Sequence, residues 1–249
     1  MKLDLTGRTA LVTGASQGIG HMTARLLAEA GATVLGVARR QELIEKLAGE
    51  VKGPGKILAL QADLYQAGAP ERTAAEAERI LGRVDILMNA AGGSRPVPFE
   101  ATNAQWEEGM TLNFFRIREL VHAIVPGMRK HKWGRIVTFT GTSEPKMLNA
   151  AFTAKAAVHV WSKGLSREVA ADGVTINCLQ PGRIRSEQIM KRYPTPEAEA
   201  AYAKAEIPIG RFGEPIEIAA LALFLASPQA SYITGTVIPV DGGSSFFAF

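Results

Sequence analysis

A chain of 249 residues that is 47% hydrophobic and 21% charged holds enough apolar material for one large α/β domain with a substantial core. No apolar run reaches the roughly 18 residues that cross a bilayer, and the N-terminus lacks the apolar region of a signal peptide, so a cytoplasmic protein without a membrane partner is expected. The formal charge of +4 is modest, no basic face with interleaved aromatic residues marks a nucleic-acid site, and one cysteine, Cys178, excludes an internal disulfide. Cys178 lies in the apolar run 174–179 and reads as a buried structural thiol, and no metal site is expected. The densest basic patch, Arg129-Lys130-His131-Lys132, falls at a helix end, where cations complement the helix dipole.

In chain order, residues 9–13 are a short apolar run with β-branched residues, suited to a buried strand. The stretch Thr13-Gly14-Ala15-Ser16-Gln17-Gly18-Ile19-Gly20 follows, and Ile19, Leu26, Leu27 and Ala30 then recur at helical spacing until Gly31. Glycines between a strand and a helix allow a tight turn that brings backbone N–H groups and the positive helix end to a phosphate. A second strand at 32–37 leads to Arg39 and Arg40. Helical periodicity resumes at Leu43, Ile44 and Leu47 and is broken by Lys52-Gly53-Pro54-Gly55. A third strand at 56–61 ends near Asp63, a helix covers 71–81, and a fourth strand at 84–88 runs into Asn89-Ala90-Ala91-Gly92. Residues 103–131 are helical in pattern throughout; 135–139 is a fifth strand, 152–171 a helix and 174–179 a sixth strand. Residues 181–209 are irregular, with one or two short helices and Pro194 and Pro196 as breakers; a helix at 214–226 and a strand at 236–240 precede Asp241-Gly242-Gly243. Strands alternating with helices imply one α/β domain over residues 1–249: a Rossmann-like, doubly wound, seven-stranded parallel sheet with helices on both faces.

The order and spacing of these pieces resemble the short-chain dehydrogenase/reductase family, its 3-oxoacyl reductases in particular, over essentially the whole chain. The Gly-x-x-x-Gly-x-Gly spacing led by Thr13 resembles the family's cofactor loop and implies that Gly14, Ser16, Gln17, Gly18, Ile19 and Gly20 contact a dinucleotide. Asp63-Leu64 matches the acid that meets adenine. Asn89-Ala90-Ala91-Gly92 matches the sheet-buttressing motif, which implies Asn89, Ala91 and Gly92 at the cofactor, and Leu112-Asn113 matches the catalytic asparagine. Pro181-Gly182-Arg183-Ile184-Arg185-Ser186 resembles the loop that holds the nicotinamide carboxamide, which implies Pro181, Gly182, Ile184 and Ser186 there, Ser186 in a threonine's place. Arg211-Phe212-Gly213-Glu214-Pro215 and Val240-Asp241-Gly242-Gly243 resemble the C-terminal signature. The resemblance also implies hydride transfer to or from a small carbonyl or alcohol substrate, a substrate lid at about 183–209, and a homotetramer packed through 103–131 and 152–171. The terminal aromatics Phe246, Phe247 and Phe249 form a patch of the kind that marks interfaces. Reductases of acyl-carrier-protein substrates place basic residues at Arg129 and Asp172, and only the first is basic here.

NAD-preferring enzymes end the second strand with an acid that accepts bonds from the ribose 2′-hydroxyl. Ala38 stands there, and Arg39 and Arg40 follow, whose guanidinium groups suit the 2′-phosphate of NADP(H). Gln17 stands where many NADP-dependent relatives carry a second basic residue.

The family's proton carrier is a tyrosine four residues before a lysine that lowers its pKa and holds the ribose. Lys155 fills the lysine slot, but Ala151 stands in the tyrosine's place and the serine slot falls at Gly141, in a loop shorter than is usual. Two altered slots and a shortened loop point to natural divergence rather than an engineered change. Asn113 and Lys155 remain, with Ser143, Thr142 or a water held by Lys155 and Asn113 as replacement proton donors, and the methyl group of Ala151 is expected to face the nicotinamide side of the cleft. Three functions stay open: an NADP(H)-dependent oxidoreductase with an altered proton path, a cofactor-binding protein without turnover, and a lyase or isomerase on the same fold. Arg183, Arg185, Lys191, Arg192 and Tyr193 suit an anionic group on the substrate, although a solvated loop accounts for them equally well.

Overall fold

Successive side chains of a strand enter opposite cores, and in this chain both are apolar. In β1 (Thr9–Thr13), Ala10 and Val12 join one buried cluster while Leu11 joins the other. The computed structural model describes residues 3–247; Phe249, the last member of the expected aromatic patch, lies outside the described residues. The strands β2 (Thr33–Ala38), β3 (Lys56–Gln61), β4 (Ile86–Asn89), β5 (Gly134–Phe139), β6 (Val174–Pro181) and β7 (Val237–Val240) complete one sheet. Its order is β3-β2-β1-β4-β5-β6-β7, and every neighbouring pair is parallel.

Helices cover both faces, as a parallel sheet requires. On one side lie α1 (Gly18–Glu29), α2 (Gln41–Glu50) and α9 (Pro215–Ala226), packed through Leu27, Ile44, Leu47, Ile218 and Leu225. On the other lie α3 (Ala69–Leu81), α5 (Arg116–Lys130) and α6 (Ala150–Val169), packed through Ala77, Leu120, Ile124 and Val158. Cys178 is buried in that second cluster, its Sγ donating to Ser162 Oγ at 3.6 Å, and burial pushes the thiol up to about 11. It is a packing residue. A third, small cluster lies outside the sheet, where α7 (Glu187–Arg192) and α8 (Pro196–Glu206) pack Ala203, Ile207 and Phe212 against Tyr193 and Tyr202.

One expectation needs correction. The helical pattern over 103–131 is not one regular helix: α4 (Asn103–Met110) passes through a π-turn, Thr111–Phe115, before α5 begins. The segment 181–209 holds two short helices, α7 and α8, as expected, and Ser186 and Thr195 each cap one of them. Boundaries also move: α6 starts at Ala150 because Asn149 caps it, its Oδ1 accepting the Ala151 N–H at 3.0 Å.

Strand order reverses between β1 and β4, which opens a crevice at the carboxyl ends of the strands. Close backbone packing fixes its floor. Gly14 has φ +67°, and a Cβ there would stand 2.8 Å from the Ala90 carbonyl carbon; a Cβ on Gly20 would stand 2.4 Å from the Gly14 oxygen. Replacing a helical glycine by alanine ordinarily stabilises by about 1 kcal/mol. Gly20→Ala is expected to do the reverse, costing about 1–3 kcal/mol as an overpacked site, read as a lowered urea midpoint at unchanged slope.

Candidate active site

A cleft of about 1940 Å³ runs along this carboxyl edge. At its floor Thr13 Oγ1 accepts the N–H groups of Ala90 and Ala91, both at 3.1 Å, and donates to the Met88 carbonyl at 3.4 Å. The first turn of α1 opens into the cleft with no acidic residue and no side-chain cap on its N–H groups. Unpaired donors and the positive helix end fit the pyrophosphate of a dinucleotide. Gly14, Ser16, Gln17, Gly18, Ile19 and Gly20 all line the cleft, as do Asp63, Leu64, Ala91 and Gly92.

Beside the loop, Arg39 and Arg40 differ. Arg40 donates to Gln17 Oε1 and pairs with Glu187 of α7 at 3.5 Å. Arg39 lines the cleft with its guanidinium in no ion pair among the described residues. The uncharged Gln17 thus has a guanidinium beside it, supplied by Arg40, a pairing that no sequence pattern signals.

At the other end, Lys155 reaches the cleft between Gly92 and Gly141: a Cβ on Gly141 would touch its Cδ at 3.4 Å, and one on Gly92 its Cε at 4.0 Å. Its amine has no hydrogen-bond partner among the described residues, and desolvation brings it down to about 8. One helical turn behind it, His159 Nε2 meets Thr140 Oγ1 at 2.7 Å; burial, then the charge of Lys155, keeps this imidazole below its usual range. Thr142 and Ser143 also line the cleft. Ser143 donates its proton to Gln180 Oε1 at 3.1 Å, whereas Thr142 Oγ1 only accepts, from the Glu144 N–H at 3.0 Å.

Three expected site residues stand elsewhere. Asn89 is buried and donates to Thr138 Oγ1 at 3.2 Å, so it ties β4 to β5 and does not line the cleft. Asn113 is wholly buried in the π-turn; its Oδ1 accepts the Gly93 N–H at 3.1 Å and its Nδ2 donates to the Gly109 carbonyl at 3.0 Å, so it holds backbone beside Gly92. Ala151 is wholly buried and does not face the cleft; Phe152 does, its ring 3.5 Å from where a Cβ on Gly141 would stand.

The carboxamide-loop residues Pro181, Gly182, Ile184 and Ser186 line the cleft, Ser186 accepting the Ile189 N–H at 3.3 Å while its own proton stays free. Several lining residues were not anticipated. Asn149 joins the shortened loop to residues 94–95, accepting from the Arg95 N–H at 3.1 Å and donating to Ser94 Oγ at 2.8 Å; an asparagine just before a helical run is a cap signal that could have marked it. Arg95 pairs with Glu108 at 2.7 Å, and Glu144 accepts the N–H groups of Phe246 and Phe247 at 2.9–3.0 Å, bringing the end of the described chain to the cleft.

A parallel sheet with this crevice and loop defines the Rossmann-like class of dinucleotide folds. The chain belongs to the short-chain dehydrogenase/reductase family: residues 14–245 match the family model described as enoyl-(acyl carrier protein) reductase. It is 37% identical over 246 residues to the 3-oxoacyl-[acyl-carrier-protein] reductase of Vibrio harveyi, covering 97% of this chain and 98% of that one. It is also 37% identical over 245 residues to the galactitol 2-dehydrogenase (L-tagatose-forming) of Cereibacter sphaeroides, covering 96% and 95%. Among solved structures, the RhlG/NADP active-site complex of Pseudomonas aeruginosa superposes with a TM-score of 0.88 at 34% identity, over 97% of this chain and 98% of that one.

The lowered pKa of Lys155 has a consequence for stability. Between about 8 and its ordinary value of 10.5, the unfolded chain holds a proton that the folded chain does not, so folding gains stability as pH rises through that window. Below about 8 the desolvated charge costs its full amount. Lys155→Met is expected to be more stable than the parent at pH 7, by on the order of 2–3 kcal/mol, with the gain gone above pH 10.5; thermal melts across pH 6–11 read it.

Proposed function

We propose that this protein is an NADP(H)-dependent oxidoreductase that interconverts a small carbonyl compound and its alcohol without a tyrosine at the family's proton-transfer position. The observation that carries the reading is Lys155, an unpartnered, partly neutral amine at the cleft wall beside Gly141. Bound NADPH supplies hydride at its nicotinamide. Lys155 has N–H groups free for ribose hydroxyls and, at neutral pH, a proton that it releases more readily than an ordinary lysine. The free proton of Thr142 is the second donor available at this wall; that of Ser143 is engaged by Gln180. Asn113 acts by holding Gly93 and the π-turn in place. The absence of a phenol at residue 151 favours a second reading, a protein that binds NADPH without turnover. Consumption of NADPH with a panel of ketones and aldehydes, lost in Lys155→Met, supports the oxidoreductase; binding of NADPH with no consumption on any carbonyl supports the binder.

Relatives named for acyl-carrier-protein and sugar-alcohol substrates leave the substrate open. Arg129 pairs with Asp172 at 2.6 Å, and Lys132 holds the same carboxylate, so one acid offsets part of the positive charge of the patch that would meet an acidic partner. The single buried thiol suits a reducing cytoplasm, and no helix among the described residues is long and apolar enough to cross a membrane.

Cofactor preference follows from the free guanidinium of Arg39. Arg39→Ala is expected to weaken NADP(H) about tenfold or more while leaving NAD(H) nearly unchanged; equal affinity of the parent for both dinucleotides, by calorimetry, removes the basis. For assembly, we propose a homotetramer. Phe115 and Val160 stay exposed on the helical layer expected to pack between subunits, and Tyr232 and Val237 stay exposed at the sheet edge. Sedimentation is expected to give four chains at micromolar concentration, and a stable monomer sinks the proposal.

A further inference from the structure

Four cations around α7 and α8 are paired with nearby carboxylates. Arg185 pairs with Glu199 and Glu214, Lys191 with Glu187 at 3.0 Å, Arg211 with Glu217 at 2.7 Å, and Lys146 with Glu206. Arg183 is different. It follows the Pro181-Gly182 turn, lines the cleft and is only partly exposed, yet no carboxylate meets it among the described residues. Its partner is a neutral phenol: Nε donates to Tyr202 Oη at 3.1 Å, and Cζ stands 5.2 Å from the Tyr202 ring centroid. That ring is itself fixed, 4.9 Å from Tyr193 and 5.8 Å from Phe212. The backbone beneath is fixed too, since the Arg183 carbonyl accepts the Gly213 N–H at 2.9 Å. A guanidinium held by its Nε keeps both terminal nitrogens for another group, in the fork that matches a carboxylate.

Arg192 also lines the cleft without a carboxylate, but it is exposed and has no such scaffold. Phe246 and Phe247 line the same cleft and offer exposed apolar surface, held by Glu144 through its bonds to their N–H groups. We propose that Arg183 anchors a carboxylate on the substrate, which makes the substrate a keto or hydroxy acid with an apolar body lying along Phe246 and Phe247. The assignment rests on the oxidoreductase reading for the words keto and hydroxy, and on the Arg183 scaffold alone for the carboxylate.

The test separates the two. With the protein saturated in NADP, calorimetry compares hexanoate with hexanamide, a pair of equal length that differs in charge. Hexanoate is expected to bind at least about tenfold more tightly. Arg183→Gln is expected to erase the difference, and Tyr202→Phe, which keeps the ring packing and frees Nε, to reduce it. Retained NADPH binding reports that each variant is folded, and Tyr202→Phe carries the test should Arg183→Gln not fold. Equal binding of hexanoate and hexanamide, or a preference that survives Arg183→Gln, overturns the proposal. Hexyl phosphate binding more tightly than hexanoate, with the same dependence on Arg183, overturns the carboxylate in favour of a phosphoryl group. Turnover is read with 5-oxohexanoate and its methyl ester. Arg183-dependent hexanoate binding without NADPH consumption leaves the anchor standing and defeats the oxidoreductase reading, whereas equal kcat/KM on acid and ester does the opposite.

Discussion

The hydroxyl of Thr13 is the joint on which the cleft turns. It spends its whole bonding capacity within a few ångströms, accepting two backbone N–H groups from the exit of β4 and giving its proton to Met88. Those three bonds clamp the end of β1 to the end of β4, just where the strand order reverses. Because the two chain segments are drawn so close, residue 14 has no space for a side chain, and because residue 14 sits where it does, neither has residue 20. The glycines are thus a response to the clamp. The uncapped turn of α1 faces the cleft as a further result, its donors turned toward the place where charge would arrive.

The two ends of the cleft use opposite electrostatic devices. At the glycine end, positive character comes from backbone dipoles and from guanidinium groups that stay wet. At the far end, Lys155 is half-buried, and desolvation makes it hold its proton weakly, with a histidine behind it whose pKa is lowered mainly by burial. Two neighbouring groups that both resist charge make a wall whose protonation responds to whatever negative charge enters the cleft. A substrate anion or a developing alkoxide would therefore find a partner in Lys155, which a fully solvated lysine would serve less well.

Much of the fold was legible because the signals are local. Apolar runs of strand length, helical spacing and glycine breaks placed all seven strands within a residue or two, and their alternation with helices implied a parallel, doubly wound sheet. The glycine loop, Arg39 and Lys155 were legible for the same reason, as short motifs on named elements. What escaped depended on contacts between distant segments. The backbone bonds of Asn113 to Gly93 and Gly109, made within a π-turn, carry no local signal. Ala151 was placed in the cleft by counting back from Lys155, which cannot foresee that Phe152 lines the cleft and Ala151 is buried. The division of the cationic residues in 183–192 into neutralised and free was invisible too, since the glutamates that decide it lie up to 29 residues away along the chain.

The π-turn at Thr111–Phe115 has a consequence for how this layer of the fold evolves. A π-turn behaves as an α-helix with one extra residue, so the helix beyond it is out of phase by about 100°. The two halves therefore act as independent rotors on one axle. The α4 half sets Gly109 so near Ala150 that a Cβ would stand 2.4 Å from it, while the α5 half turns Ile117, Leu120 and Ile124 toward the cluster shared with α3. Loss of a single residue from the turn would put both halves back in phase, and one rotor would have to give up its partner. Deleting a residue at this point is consequently expected to disturb packing more than substituting one.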